Sequence, residues 1–511
     1  MNVRTVAVIG AGPAGAAAAD ALAKEERFET IRVFDRRSLA GGTWVYTPDA
    51  SLKIPDLRDL LDGNADDPVP VPSKLPTETP KSDAINDQQV RYADTALHEH
   101  LHGNHIPSLF GGISEPRGDG PGAPFKHREV VREWIEGVFI RNGLRKYLEL
   151  NTTVERAEKK GSKWVLTLRK ELGQSNYWWE EKFDALIVAS GHYNVPWMPK
   201  IDGLVEYDAK FPGRILHAKH FRDGSRYHGK RVVVVGGSVS AYEIIGEVLP
   251  HAQHPVYASL RGDPDPAFGW KPWKSPDIDI KKQIIRLDSE SGRVFFADKT
   301  YLDDIDYIIF GTGYTFSLPF LPVIQERIKR AYRRVPGIWQ HTWNIDDPTL
   351  ALIGMLNGGF TFRVYEWQAV AVARLFAGRS KPLPPVEEQR EWERKRVATL
   401  RGGKAYYSIA PHHAEFFELL RDIAGEPKPG MPGRPFPSFD KAWAQLWMGK
   451  VANNVRGWEQ ARKKSREGME SATVLTPHRL YNVTEPGPFP KIVLSANNTL
   501  PVCKPQSRQK D

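Results

Sequence analysis

The 511-residue chain has one cysteine, Cys503, which rules out an intramolecular disulfide framework and any CxxC redox pair. Such poverty in thiols suits a reducing compartment, and a cytoplasmic protein is expected. No stretch reaches the roughly 20 apolar residues of a membrane-spanning helix. The apolar run at 6–23 is broken by Gly10, Gly12 and Gly15, so it reads as strand, turn and helix rather than as a leader. A formal charge of +9 comes without zinc-finger spacing, an RNA-binding signature or an arginine-rich block. Nucleic acid is therefore not an expected partner, whereas phosphorylated small molecules suit that charge. Metal-ligand spacing is also lacking: His98, His100, His102 and His105 cluster, but read as solvated histidines of a helix.

What the chain does have is one pattern written twice. VAVIGAGPAGAAAA opens it at residues 6–19, and VVVVGGSVSAYEI follows at 232–244. Each is a β-branched run, a turn of small residues and a helix-like run. In such a unit the first glycine permits the turn, the second admits a pyrophosphate, and the third lets helix pack on strand. Gly10, Gly12, Pro13, Ala14 and Gly15 take these positions in the first unit, and Gly236, Ser238, Ser240 and Ala241 in the second. After the first unit a strand ends at Asp35, 20 residues past Gly15, where an acid reaches a ribose hydroxyl. After the second, the strand reaches Ser259 and ends at Arg261, 20 residues past Ala241, where an arginine pairs with a 2′-phosphate. NADPH is thereby favoured over NADH at the second unit.

The fold expected is α/β, with two dinucleotide-binding, Rossmann-like domains, the smaller inserted in the larger. Residues 1–205 and 315–430 make the larger domain, 206–314 the smaller, and 431–511 a C-terminal extension. Within the first, the proline-rich stretch 46–93 reads as a long loop, either a lid or a solvated insertion. ADTALHEHLHGNHIP, from residue 93, reads as a helix ending near Gly103.

Arg36 and the Gly42-Thr43-Trp44 segment follow Asp35, and this combination resembles the FAD sites of flavoproteins with two dinucleotides. Between the two turns, Phe211, Gly213, His217 and Phe221 match FxGxxxHxxx(Y/F), the identifying pattern of the flavin-containing monooxygenases. SGHYNVPWMP at 190–199 and GTGY at 311–314 extend the resemblance from about residue 5 to about 420. Asp35 stands where that family more often has Glu, Ser190 where it has Thr, and Ser238 and Ala241 where glycine is common. The resemblance implies FAD at the first turn, NADPH at the second, and a small nucleophilic substrate oxygenated with O2 through a flavin C4a-hydroperoxide. It also implies that Asn104, in Asn104-His105-Ile106-Pro107, is the polar group beside the flavin, although this segment is one residue longer than the family's. His217 is expected to be a joint rather than an acid or base. The rival readings are a Baeyer–Villiger enzyme acting on ketones and a non-catalytic redox sensor.

Overall fold

The computed structural model describes residues 3–48, 56–82, 95–103, 126–266, 269–357, 361–435 and 439. Strand β1 (Thr5–Ile9) lies between β2 (Thr30–Phe34) and β3 (Ala185–Val188), parallel to both. Strands β1 and β3 read as nearly continuous apolar runs because both their faces are covered, whereas β2, toward the sheet's edge, carries the partly exposed Arg32. Leu350–Leu352 adds a parallel strand beyond β3, two short antiparallel strands follow it, and Leu148–Glu149 closes the opposite edge. Helix α1 (Pro13–Lys24) starts directly from the first glycine turn, with Pro13 in its first turn where a missing N–H costs nothing. Helix α2 (Arg128–Arg141) is capped by the His127 ring, which accepts from the Glu129 N–H.

The second turn repeats this plan. Strand β4 (Val232–Val235) leads into α3 (Val239–Val248) and pairs in parallel with β5 (Val256–Ser259) and β6 (Tyr307–Phe310). Ile215–His217 and Ile278–Lys281 complete a five-stranded, all-parallel sheet. A separate four-stranded antiparallel sheet joins Thr152–Lys160, Lys163–Leu172 and Ser175–Phe183 to Thr77–Pro80. The chain returns to the first sheet over residues 338–352, and α4 (Thr361–Phe376) follows, sharing one core with the buried alanines of α1. Helices α5 (Val386–Leu400), α6 (Gly403–Tyr406) and α7 (His413–Ala424) follow.

Two local expectations fail for physical reasons. Residues 95–101 are not helical, because the buried Arg222 guanidinium takes the Thr95 and Leu97 carbonyls that a helix would have used. His98 is accordingly buried rather than solvated. The stretch 46–93 also contains regular structure: helix Leu57–Asp62 sets Leu57 into the core of the second sheet, and Thr77–Pro80 is an edge strand. Pro80 is tolerated there because an edge strand has one side without partners. Arg434, counted above with the C-terminal extension, is buried and ion-paired to Asp20 of α1 at 2.7 Å and to Glu366 of α4.

Candidate functional site

At the first turn, β1 ends in Gly10 at φ 107°, a conformation glycine adopts readily. A Cβ on Gly15 would lie 1.9 Å from the Gly10 carbonyl oxygen, so α1 approaches the turn as closely as a backbone can. The loop at 41–44 is pressed on from the other side, since a Cβ on Gly42 would lie 2.7 Å from Gly12 Cα. Among the described residues no side chain caps α1, so its leading N–H groups are left for an anion. Asp35 is buried at the tip of β2 and accepts from Ala11 N–H at 2.7 Å and Arg37 N–H at 2.9 Å. Each carboxylate oxygen retains a lone pair for a hydroxyl.

The second turn uses the same geometry with a different residue choice. Gly236 sits at φ 129°, and a Cβ there would meet the Gly311 carbonyl oxygen at 2.6 Å. Helix α3 also lacks a side-chain cap. The Ser238 hydroxyl goes instead to Asp265 at 2.9 Å, and Lys404 of α6 joins both. Ser259 is buried and donates to the Lys282 carbonyl at 3.0 Å, so its proton is committed. Arg261 is exposed at the end of β5.

Both turns open into one cavity of about 1850 Å³, well above the ~300–1,000 Å³ typical of a drug-sized ligand. Every cofactor-binding candidate lines it except Gly15, Ala241 and Arg36. Gly15 and Ala241 lie beneath the turns as packing positions. Arg36 turns the other way, because successive residues after β2 face opposite sides; it lines a neighbouring cavity of about 130 Å³ with Asp66, Glu155 and Arg169. Burial, then Arg37, lower its pKa to about 10. Arg37 takes the cavity-facing place expected for Arg36. Asn104 lies outside the described residues.

Other parts of the wall had no spacing signal in the sequence. Phe362 and Tyr365 join the expected Trp44 in an aromatic side, with Trp134 stacked behind Phe362 at 5.9 Å. The described residues of 46–93 contribute nothing to the cavity, whereas α5, α6 and α7 do, through Trp392, Arg396, Lys404 and Phe416. Glu243 of α3 faces the same space, and burial together with Glu247 pushes its carboxyl up to about 8. His192 is buried, which lowers its pKa to about 4 and keeps it neutral near pH 7. Its Nδ1 lies 3.2 Å from the Gly354 carbonyl and its Nε2 3.1 Å from the Asn357 side-chain amide. A carbonyl only accepts, so the proton is on Nδ1 and the Asn357 amide nitrogen must face Nε2.

His217 occupies the joint between the two turns. Its Nδ1 accepts from Lys219 N–H at 3.1 Å, so Nε2 carries the proton and donates to the Gly313 carbonyl at 2.9 Å. Burial, then nearby His220, lower its pKa to about 3. With both nitrogens committed to backbone, it ties the Ile215–His217 strand to the turn after β6.

A family model described as flavin-binding monooxygenase-like matches residues 121–263 and 275–424, and an NAD(P)-binding Rossmann-like model matches residues 8–55. The chain is 28% identical over 479 residues to a trimethylamine monooxygenase of Roseovarius sp. strain 217, covering 91% of this chain and 94% of that protein. It is 27% identical over 445 residues to the flavin-containing monooxygenase ustF2 of Aspergillus flavus, covering 79% and 88%. The solved S-allyl-L-cysteine S-oxygenase of Allium sativum has the same fold, with a TM-score of 0.66, 23% identity, and coverage of 94% of this chain and 97% of that one. No helix among the described residues is long and apolar enough to cross a membrane.

Proposed function

Since the chain belongs to the flavin-binding monooxygenase-like family and is a flavin-dependent monooxygenase working with FAD and NADPH, we propose that it transfers one oxygen atom of O2 to a nucleophilic nitrogen or sulfur of a small molecule. The observation that carries this reading is the single cavity reached by both glycine turns, by Asp35 and by Arg261. The trimethylamine monooxygenases among its relatives support nitrogen as an acceptor atom.

FAD is assigned to the first turn and NADPH to the second. Gly10, Gly12, Pro13 and Ala14, with the free N–H groups of α1, hold the first pyrophosphate, and Asp35 holds a ribose hydroxyl. Gly42, Thr43 and Trp44 close that side, with Gly15 as the packing position below. Gly236, Ser238 and Ser240 hold the second pyrophosphate above Ala241, and Arg261 holds the 2′-phosphate. When bound, the flavin supplies electron transfer and the reaction with O2, and the nicotinamide supplies the hydride. The protein has to hold both groups in one space and keep water out of it. Trp44, Phe362 and Tyr365 serve the second task as an apolar wall. Asn104, three residues past the cavity-lining Leu101, is proposed as the polar group beside the flavin. A cytoplasmic location is proposed on the single cysteine.

The test follows NADPH consumption together with product mass, supplying an amine, a thioether and a cyclic ketone under labelled O2. One labelled oxygen on nitrogen or sulfur is expected. Rapid ketone-to-ester conversion without heteroatom oxidation would overturn the acceptor class.

A further inference from the structure

The second turn gathers more positive charge than its own segment supplies. Arg333 follows the helix Pro322–Lys329, far along the chain from the Gly236 turn, yet lines the same cavity. Its backbone is held at φ 47° and its carbonyl accepts from Gly403 N–H at 3.1 Å, beside the start of α6. The guanidinium lies 4.3 Å from the Trp197 ring, and one terminal nitrogen donates to the Tyr314 carbonyl at 2.9 Å. Its Nε is buried with no hydrogen-bond partner among the described residues. Burial lowers the pKa of Arg333, the neighbouring Tyr332 phenol opposes this, and the charge of Arg261 lowers it further, so the two arginines sense each other.

Acids do not account for this pair. Asp265, on the loop after Arg261, is engaged by Lys404 and the Ser238 hydroxyl. Asp263 also borders the cavity and is exposed, and neither arginine is ion-paired to it among the described residues. Two guanidinium groups on one wall, one with a buried unmatched N–H, are unfavourable until an anion enters. The pyrophosphate already has the leading amides of α3 and the small residues of the turn. Arg261 instead stands at the strand end that reads the far ribose.

We infer that Arg333, acting with Arg261, binds the 2′-phosphate of NADPH, so that cofactor selectivity depends on two chain segments about 70 residues apart. A phosphate monoester offers several acceptor oxygens, which suits two planar donor forks better than one. The inference rests on the assignment of NADPH to the second turn.

Calorimetric titration of the FAD-loaded protein with adenosine 2′,5′-bisphosphate and with 5′-AMP tests both statements separately. The wild type is expected to prefer the bisphosphate, and Arg261→Ala and Arg333→Ala should each reduce that preference about tenfold to hundredfold. Binding of 5′-AMP should stay within about twofold. Arg333→Lys keeps the charge and loses the fork, and should retain part of the preference. A wild type without preference overturns the NADPH assignment and the inference with it. Preference that Arg261→Ala abolishes and Arg333→Ala leaves intact overturns the inference alone. Equal weakening of both ligands by Arg333→Ala would make Arg333 a scaffold residue and also overturn it. Should Arg333→Ala fail to fold, Arg333→Lys decides, and an unchanged preference refutes.

Discussion

Gly311 is the position where a single methyl group should do the most damage for its size. A Cβ there would stand 2.8 Å from Ala241 N and 2.9 Å from Ala241 Cα and Cβ. Ordinary contact begins near 3.4 Å, so β6 and the first turn of α3 must separate by about 0.5 to 0.6 Å. Overpacking of this kind costs about 1–3 kcal/mol. The displacement falls on the amides assigned to the NADPH pyrophosphate, and it would stretch a 2.9 Å hydrogen bond to about 3.5 Å, outside the bonding range. Gly311→Ala should therefore lower the unfolding midpoint and weaken adenosine 2′,5′-bisphosphate by about tenfold, while FAD content stays near that of the wild type. The first turn suggests the rescue. There the helix position is Gly15 and the strand-end position is Ala189, and a Cβ on Gly15 would clear the Ala189 methyl at 3.9 Å. The second turn has the same two residue types exchanged, Ala241 on the helix and Gly311 on the strand end. Ala241→Gly added to Gly311→Ala removes the methyl–methyl clash but leaves the backbone contacts. Partial recovery is expected, with a coupling of about 1 kcal/mol. The assay is thermal unfolding by tryptophan fluorescence, paired with calorimetric titration. A Gly311→Ala protein with unchanged midpoint and affinity, or a double variant no better than the single one, refutes the exchange.

Gly42→Ala would set a Cβ 2.7 Å from Gly12 Cα on a backbone at φ 59°, and should cost most of the bound flavin, read as flavin absorbance per chain. His217→Gln keeps a donor for the Gly313 carbonyl and should retain turnover with an unshifted pH profile, whereas His217→Ala should destabilise by about 1–3 kcal/mol through orphaned backbone groups; a lost limb in the Gln variant's profile would restore a proton-transfer role. Because the folded pKa of His217 is about 3 and that of His192 about 4, both below the ordinary 6.5, the unfolded chain binds more protons between these values, and stability should fall as pH drops from about 6.5 toward 4. His217→Gln should flatten that fall, measured as the midpoint of acid-induced fluorescence change, and an identical acid limb would count against burial as its cause. Asn104→Ala should keep FAD and release more H2O2 per NADPH oxidised, with unchanged coupling removing Asn104 from the mechanism.

The parts of the fold that sequence reveals are those whose chemistry is local. VAVIG and VVVVG announce parallel strands because burial on both faces removes any alternation. Asp35 and Arg261 are found by counting from the turns, because one strand–helix–strand unit has nearly fixed length. Arg333, Asn357 and the α5–α7 wall have no such ruler. They reach the cavity from segments joined to the turns only through tertiary contact. The failed helix at 95–101 has the same origin: its local pattern is helical, but Arg222, more than a hundred residues away, captures its carbonyls.

That same arginine, just beyond the Phe211–Phe221 pattern, helps to join the segments around the two nucleotide turns. Within this stretch and just beyond it, three buried polar side chains reach the backbone of other segments. His217 holds the Gly313 carbonyl, and buried Lys219 holds that of Asn194. Arg222 donates to five carbonyls, those of Thr47, Thr95, Leu97, Lys219 and Phe221. Thr47, Thr95 and Leu97 belong to the side of the first turn, where the Thr95 hydroxyl in turn donates to Thr43. The stretch therefore fixes the wall around Thr43 and Trp44 to the strand beside β6, and through it to Gly311 and the second turn. A reaction that needs two nucleotides in one dry space depends on their separation more than on either site alone. His217 of the pattern, with Lys219 and Arg222 beside its positions, holds the segments around the two turns together through backbone carbonyls.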